Sequence, residues 1–183
     1  MSAPKSIPLV PIRTAPGLRD YLDLLMWPFS PHQFFEVQIT RLLQSDIPYR
    51  VMFSNGLVWV YRDPDGNTVG FGTLDICNEY DRFTGGRIHV FIPLLAVNPG
   101  FQKRGHGRTI VQHLIAESTG IIQSQSETSS ILFLDVYRAN SGAIALYEKC
   151  GFAVLNPDTP IPDPQENNEP YFIMAKGMSV PQT

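Results

Sequence analysis

The 183 residues predict a mixed α/β fold, with strand, helix, strand and helix following one another at its centre. Three observations predict it. Residues 87–97 form a nearly continuous apolar run of strand length, the pattern of a central strand covered on both faces. Residues 107–118 repeat their apolar side chains at a helical period, and a second strand-then-helix pattern follows over 131–137 and 140–151.

The elements can be justified in order. Residues 7–12 read as a short strand whose Pro8 and Pro11 favour an edge. Residues 18–26 are helical in pattern and end before Pro28; a second helix starts near Ser30, with Pro31 in its first turn. Strands at 49–53, 57–61 and 68–76 are separated by the turn signals Asn55-Gly56 and Asp63-Pro-Asp-Gly66. Pro93 conflicts with a regular central strand, and a bulge or local splay resolves the conflict. In the helix over 107–118, Ile110, Val111, Leu114 and Ile115 make the buried stripe and Gly120 closes it. Asn140 or Ser141 caps the helix that ends at Gly151. Residues 152–155 and 171–175 form a final antiparallel pair, joined by a loop over 156–170 that holds five prolines.

Bulk properties narrow the function classes. An apolar fraction of 43% and a charged fraction of 17% describe a soluble globular chain, expected to be one domain over 1–183. A net charge of −3 gives no general attraction to nucleic acid or an anionic membrane, and neither is expected as a partner. The longest apolar run, 90–97, is too short to span a bilayer, and the first residues lack the pattern of a secretory signal. Cys77 and Cys150 read as free thiols of a cytoplasmic protein. The four histidines show no metal-ligand spacing, so no metal is expected.

Two segments carry chemistry. In the first, 97–108, Gly105 and Gly107 stand where a strand gives way to a helix, and Lys103, Arg104 and Arg108 surround them. A helix start offers unpaired N–H groups and partial positive charge, and glycines let a phosphate approach. The segment therefore describes a diphosphate site; alone, it also fits an ordinary glycine-bearing turn with solvated cations. A dinucleotide fingerprint would need glycine at Ile110, and no Walker A sequence is present. In the second segment, 140–152, Asn140 at the helix start can hold an amide-rich ligand. Tyr147 lies two turns on along a similar face, where its phenol could protonate a thiolate. An N-capping asparagine and a packed tyrosine are the alternative.

Together the segments resemble the GNAT superfamily of acyl-CoA-dependent N-acyltransferases. The family's diphosphate motif runs Gln or Arg, two residues, Gly, one residue, then Gly or Ala, and is met by Gln102, Gly105 and Gly107. Its later helix pattern is met by Asn140, Ala143, Tyr147, Gly151 and Phe152, and the resemblance covers 68–176. It implies a mixed central sheet of six to seven strands with flanking helices, its central parallel strands splayed at a bulge that Pro93 would suit. It further implies acetyl-CoA as acyl donor, with Leu95, Ala96 and Val97 pairing with the pantetheine arm. Gln102, Lys103, Arg104, Gly105, His106, Gly107 and Arg108 would then surround the diphosphate, His106 through its backbone. Asn140 would touch the arm further along, and Tyr147 would be the acid for the CoA thiolate.

The implied activity is N-acetyl transfer to a primary amine by direct attack. Family members often carry a glutamate base eleven or thirteen residues before the motif glutamine; here those positions hold Phe91 and His89, which makes His89 the candidate base. Asp75 and Glu79 are rivals acting through water, while Asp135 reads as structural. The acceptor wall would draw on Trp27, Phe29, Phe34, Phe35, Tyr80 and Phe83, with Asp75, Glu79 or Asp81 attracting an ammonium. A silent acyl-CoA sensor and a peptide or protein N-acetyltransferase are the alternatives, and a homodimer is compatible with the sequence.

Overall fold

The computed structural model describes residues 10–13, 57–77, 89–124, 129–164 and 168–179. The expected helices at 18–26 and from Ser30, the strand at 49–53, and Trp27, Phe29, Phe34, Phe35, Glu79, Tyr80, Asp81 and Phe83 lie outside those residues. The strands are β1 (Val10–Arg13), β2 (Leu57–Arg62), β3 (Thr68–Cys77), β4 (His89–Ile92), β5 (Leu95–Val97), β6 (Ser129–Tyr137), β7 (Ala153–Val154), β8 (Ile161–Asp163) and β9 (Glu169–Ser179). Among the described residues the helices are α1 (His106–Ser124) and α2 (Ser141–Lys149). In hydrogen-bonded order the strands run β1-β2-β3-β4-β6-β9-β7, with β5 on β3 and β8 on β9. The sheet is mixed: β4 and β6 are parallel, and the other registered pairs are antiparallel.

The chain divides into two compact units, one drawn from 1–73 and 94–110, the other from 74–93 and 111–183. In the first, β5 pairs with β3 through Gly70↔Val97, Phe71↔Ala96 and Gly72↔Leu95. Tyr61, Val69, Phe71, Ala96 and Ile110 are buried there. The β2–β3 turn is closed by Asp63, whose carboxylate accepts the backbone N–H of Asn67 at 2.8 Å and its side-chain amide at 3.0 Å. In the second unit, β6 pairs with β4 through Val90↔Leu132 to Ile92↔Leu134 and with β9 along nine residue pairs. Phe133 and Ile173 are sealed there under Phe91, Ile131, Ile161 and Tyr171.

Four expectations need correction. Of the run expected over 87–97, the described residues 89–97 form two strands, because Pro93 cannot donate to a ladder; β4 registers with β6, β5 with β3. That division and the short β8 bring the strands among the described residues to nine, above the six to seven expected. Gly120 does not close α1, which continues to Ser124. A glycine inside a helix costs about 1 kcal/mol, and the complete burial of Ile122 one half-turn later outweighs it. The proline-rich loop contains β8, an edge segment in register Ile161↔Tyr171 and Pro162↔Pro170, where prolines are tolerated. Of the two candidate caps of α2, Asn140 holds the position: its side-chain oxygen accepts from the Ala143 N–H at 3.2 Å.

Candidate functional site

The segment expected to meet the acyl donor begins at the Pro93 break. Thr73, buried on β3, donates its N–H to the Leu94 carbonyl at 3.0 Å, and its hydroxyl accepts the Leu94 N–H at 3.0 Å. Both backbone groups that the broken strand would leave unpaired are thus met by one residue. Farther along, the Asn98 N–H donates to the Val69 carbonyl at 2.8 Å. Antiparallel pairing alternates, so if 94 and 98 bond β3, the backbone groups of Leu95 and Val97 point to the opposite side of β5. A ligand carrying amides in an extended arm can pair with that edge. Thr73→Val should remove the hydroxyl clamp and raise the KM for acyl donor several-fold with a smaller change in kcat. Thr73→Ser should restore it, and steady-state kinetics of the three proteins checks this.

Asn98 then turns the chain. Its side-chain oxygen accepts from Gly100 N–H at 3.0 Å, its amide donates to the Thr68 carbonyl at 3.3 Å, and a single 3-10 turn follows over Pro99–Phe101. Gln102 closes that turn by donating its side-chain amide to the Val97 carbonyl at 3.2 Å. Lys103 (φ 60°) and Gly105 (φ 89°) both adopt left-handed backbone on either side of Arg104. Glycine adopts this freely, but a lysine held there costs about 1–2 kcal/mol. A side chain on Gly105 would meet nothing within 4 Å, so its conformation, not packing, requires glycine.

α1 starts immediately afterwards. Its first intrahelical bond is Thr109 N–H to the Gly105 carbonyl at 3.2 Å, which leaves the N–H groups of His106, Gly107 and Arg108 without an intrahelical acceptor. Gly105 has no side chain to cap them, and the first turn carries no acidic residue. Lys103, Arg104 and Arg108 are instead exposed around the same end, and the Arg104 guanidinium lies 5.6 Å from the Phe101 ring centre. Cations at a helix start are unfavourable by roughly 0.3–1 kcal/mol each. An anion bound there would reverse the sign of all of these interactions. Gly70 allows α1 to come this close: a Cβ on it would lie 2.5 Å from Ile110 Cδ1 and 2.7 Å from the Ala96 carbonyl oxygen.

The structure thus brings Leu95, Ala96, Val97, Gln102, Lys103, Arg104, Gly105, His106, Gly107 and Arg108 into one continuous segment of the first unit. His89, Asn140 and Tyr147 belong to the second. Tyr147 is buried on α2, with its ring 5.9 Å from that of Phe152. Burial, and after it the neighbouring Cys150 thiol, push its pKa up to about 12. His89 is fully buried at the start of β4, its ring edge-on to Phe133 at 5.2 Å. Asp75 is half-buried on β3 and Asp135 exposed on β6. Among the described residues, no group of three or more His, Cys, Asp or Glu side chains converges, and no helix is long and apolar enough to cross a membrane. Sequence reasoning missed Thr73, Gly70 and Asn98; a buried threonine within an apolar strand is the only signal the first of these leaves.

Residues 18–152 match the family model of the acetyltransferase (GNAT) family. A ribosomal protein bS18 alanine N-acetyltransferase of Salmonella typhimurium is 43% identical over 60 residues, which is 32% of this chain and 35% of that protein. A mycothiol acetyltransferase of Propionibacterium freudenreichii is 30% identical over 99 residues, 54% of this chain and 28% of that protein. The matched segments therefore span only about a third of these relatives' own lengths. Among solved structures, the ribosomal-protein alanine N-acetyltransferase of Escherichia coli superposes with a TM-score of 0.59 at 19% identity, covering 96% of this chain and 97% of that one. A spermidine/spermine N-acetyltransferase of Vibrio cholerae gives 0.59 at 17%, covering 93% and 95%. These likenesses fix the fold, and the match over 18–152 goes further: the chain belongs to the acetyltransferase (GNAT) family.

Proposed function

We propose that the protein transfers an acetyl group from acetyl-CoA to a primary amine by direct attack. The observation that carries this reading is the start of α1: three N–H groups without intrahelical acceptors, three exposed cations and no carboxylate in the first turn. That arrangement suits the donor's diphosphate, and the outward edge of Leu95 and Val97 suits the amides of its pantetheine arm. Asn140 is the proposed contact for the far end of the arm, in addition to its capping bond.

In the proposed reaction the amine nitrogen attacks the thioester carbonyl carbon, the C–S bond breaks, and the sulfur takes a proton while the new amide nitrogen loses one. Tyr147 is the proton donor toward sulfur. Because its pKa stands at about 12, it is fully protonated at neutral pH. A thiol titrates near ~8.5, so full transfer from such a phenol is uphill by roughly 5 kcal/mol. Tyr147 therefore acts first as a hydrogen-bond donor to the sulfur as charge develops, and completes the transfer as the site repolarises. His89, fully buried at the start of β4, is the proposed base for the amine proton. His89→Gln should lower kcat while sparing donor affinity; an unchanged kcat removes His89 from the reaction.

The relative that acetylates an alanine of a ribosomal protein favours a peptide N-terminus as a second acceptor class. Thiol release from acetyl-CoA, measured across small amines, polyamines and peptides with free N-termini, tests the reading. Amine-dependent release supports it and selects the class. Tight CoA binding with no release for any acceptor would identify a silent sensor instead.

A further inference from the structure

The residue between the two motif glycines does something that a backbone contact leaves unexplained. His106 is the first residue of α1 and is only 2% exposed. Both of its ring nitrogens are buried without a hydrogen-bond partner. A neutral imidazole has one donor and one acceptor, and leaving both unmet in the interior is costly. An apolar side chain would fill the place without that cost. The ring instead stands against Phe101 at 6.3 Å between centroids, and the same phenyl ring carries the Arg104 guanidinium.

We propose that binding of the acyl donor's diphosphate is coupled to uptake of a proton by His106. The inference rests on the donor site proposed above. Without ligand, the imidazole sits at the positive end of a helix and next to Arg104, and both oppose a further positive charge. Among the described residues, the Asp63 carboxylate, from the β2–β3 turn, acts the other way. Burial and Arg104 accordingly hold the ring below the ordinary histidine value of 6.5, against the pull of Asp63. Asp63 itself stays ionised, because its hydrogen bonds from Asn67 hold its carboxyl low. A diphosphate at the His106, Gly107 and Arg108 N–H groups brings negative charge next to the same ring. Charges interact more strongly in a buried setting than in water. The sign follows by linkage: the ring is neutral when free and protonated when the donor is bound, so protons are taken up between its free and bound pKa values. Donor affinity then rises as pH falls through that window, and the coupling vanishes at alkaline pH.

The test is calorimetric titration of the full chain with CoA at about pH 6 and pH 8, each in two buffers of different ionisation enthalpy. The 3′-phosphate of CoA also titrates near ~6, so the comparison is between wild type and His106→Leu, in which that contribution is shared. Wild type should take up a fraction of a proton more than His106→Leu near pH 6, with a several-fold stronger affinity at pH 6 than at pH 8 that the variant lacks. Equal proton uptake in the two proteins overturns the inference and leaves the donor site standing. No CoA binding by wild type overturns the donor site and the inference with it. If His106→Leu does not fold, the imidazole resonances of wild type are titrated with and without CoA. An upward shift of the His106 pKa on binding supports the coupling, and an unchanged value refutes it.

Discussion

Replacing Tyr147 with phenylalanine should lower turnover about a hundredfold or more while leaving acetyl-CoA affinity within about threefold. The two side chains differ by one hydroxyl, and the ring contact with Phe152 survives the change, so the fold is spared. What is lost is the proposed proton donor to the departing sulfur. The same burial that keeps the phenol protonated gives it a signature in stability. Its folded value of about 12 exceeds the ordinary 10, so the neutral form is favoured in the native state. The contribution is complete below pH 10 and is lost as pH rises toward 12, since the unfolded chain ionises first. Tyr147→Phe should therefore unfold at a higher pH than wild type in alkaline titration. An unchanged kcat would take Tyr147 out of the mechanism.

The second large effect concerns Gly70. Gly70→Ala places a methyl group 2.5 Å from Ile110 Cδ1 and 2.7 Å from the Ala96 carbonyl oxygen. The isoleucine can rotate away; the carbonyl belongs to the β3–β5 ladder and cannot yield without separating the strands. Overpacking of this kind costs about 3 kcal/mol, which for a chain of this size lowers the melting temperature by roughly 6–12 °C. Donor affinity should fall with it, because the displaced groups are β5 and the first turn of α1. Gly120→Ala is the control. That glycine lies inside α1 with open space around it, so alanine should stabilise the chain by roughly 0.5–1 kcal/mol. Equal melting temperatures for Gly70→Ala and wild type would show that the β3–β5–α1 packing is looser than described.

The turn ahead of α1 is legible in the sequence because its geometry depends on backbone. A left-handed turn ahead of a helix needs glycine at 105, and the cations on either side of it have no acidic partner nearby in the chain. The place of Tyr147 on α2, two turns after the Asn140 cap, is legible for a similar reason, being set by helical geometry. Thr73 is not. A threonine in a strand is ordinary, and only pairing with a residue twenty-one positions away reveals what its hydroxyl does. The length of α1 is not legible in the sequence because glycine punctuates a sequence locally, whereas burial of Ile122 is a tertiary fact. β8 was missed because prolines argue against strands except at an edge, and edges are invisible before the sheet is assembled. His106 was read only through its backbone, since nothing in the sequence says that its ring is buried.

The central claim is that the first turn of α1 holds the diphosphate of an acyl-CoA. Amide resonances of His106, Gly107 and Arg108, followed by NMR during titration with CoA and separately with pantetheine, test it most directly. The account predicts large, saturable shifts at these three N–H groups with CoA and little change with pantetheine, which lacks the diphosphate. CoA binding that leaves all three unmoved would contradict it.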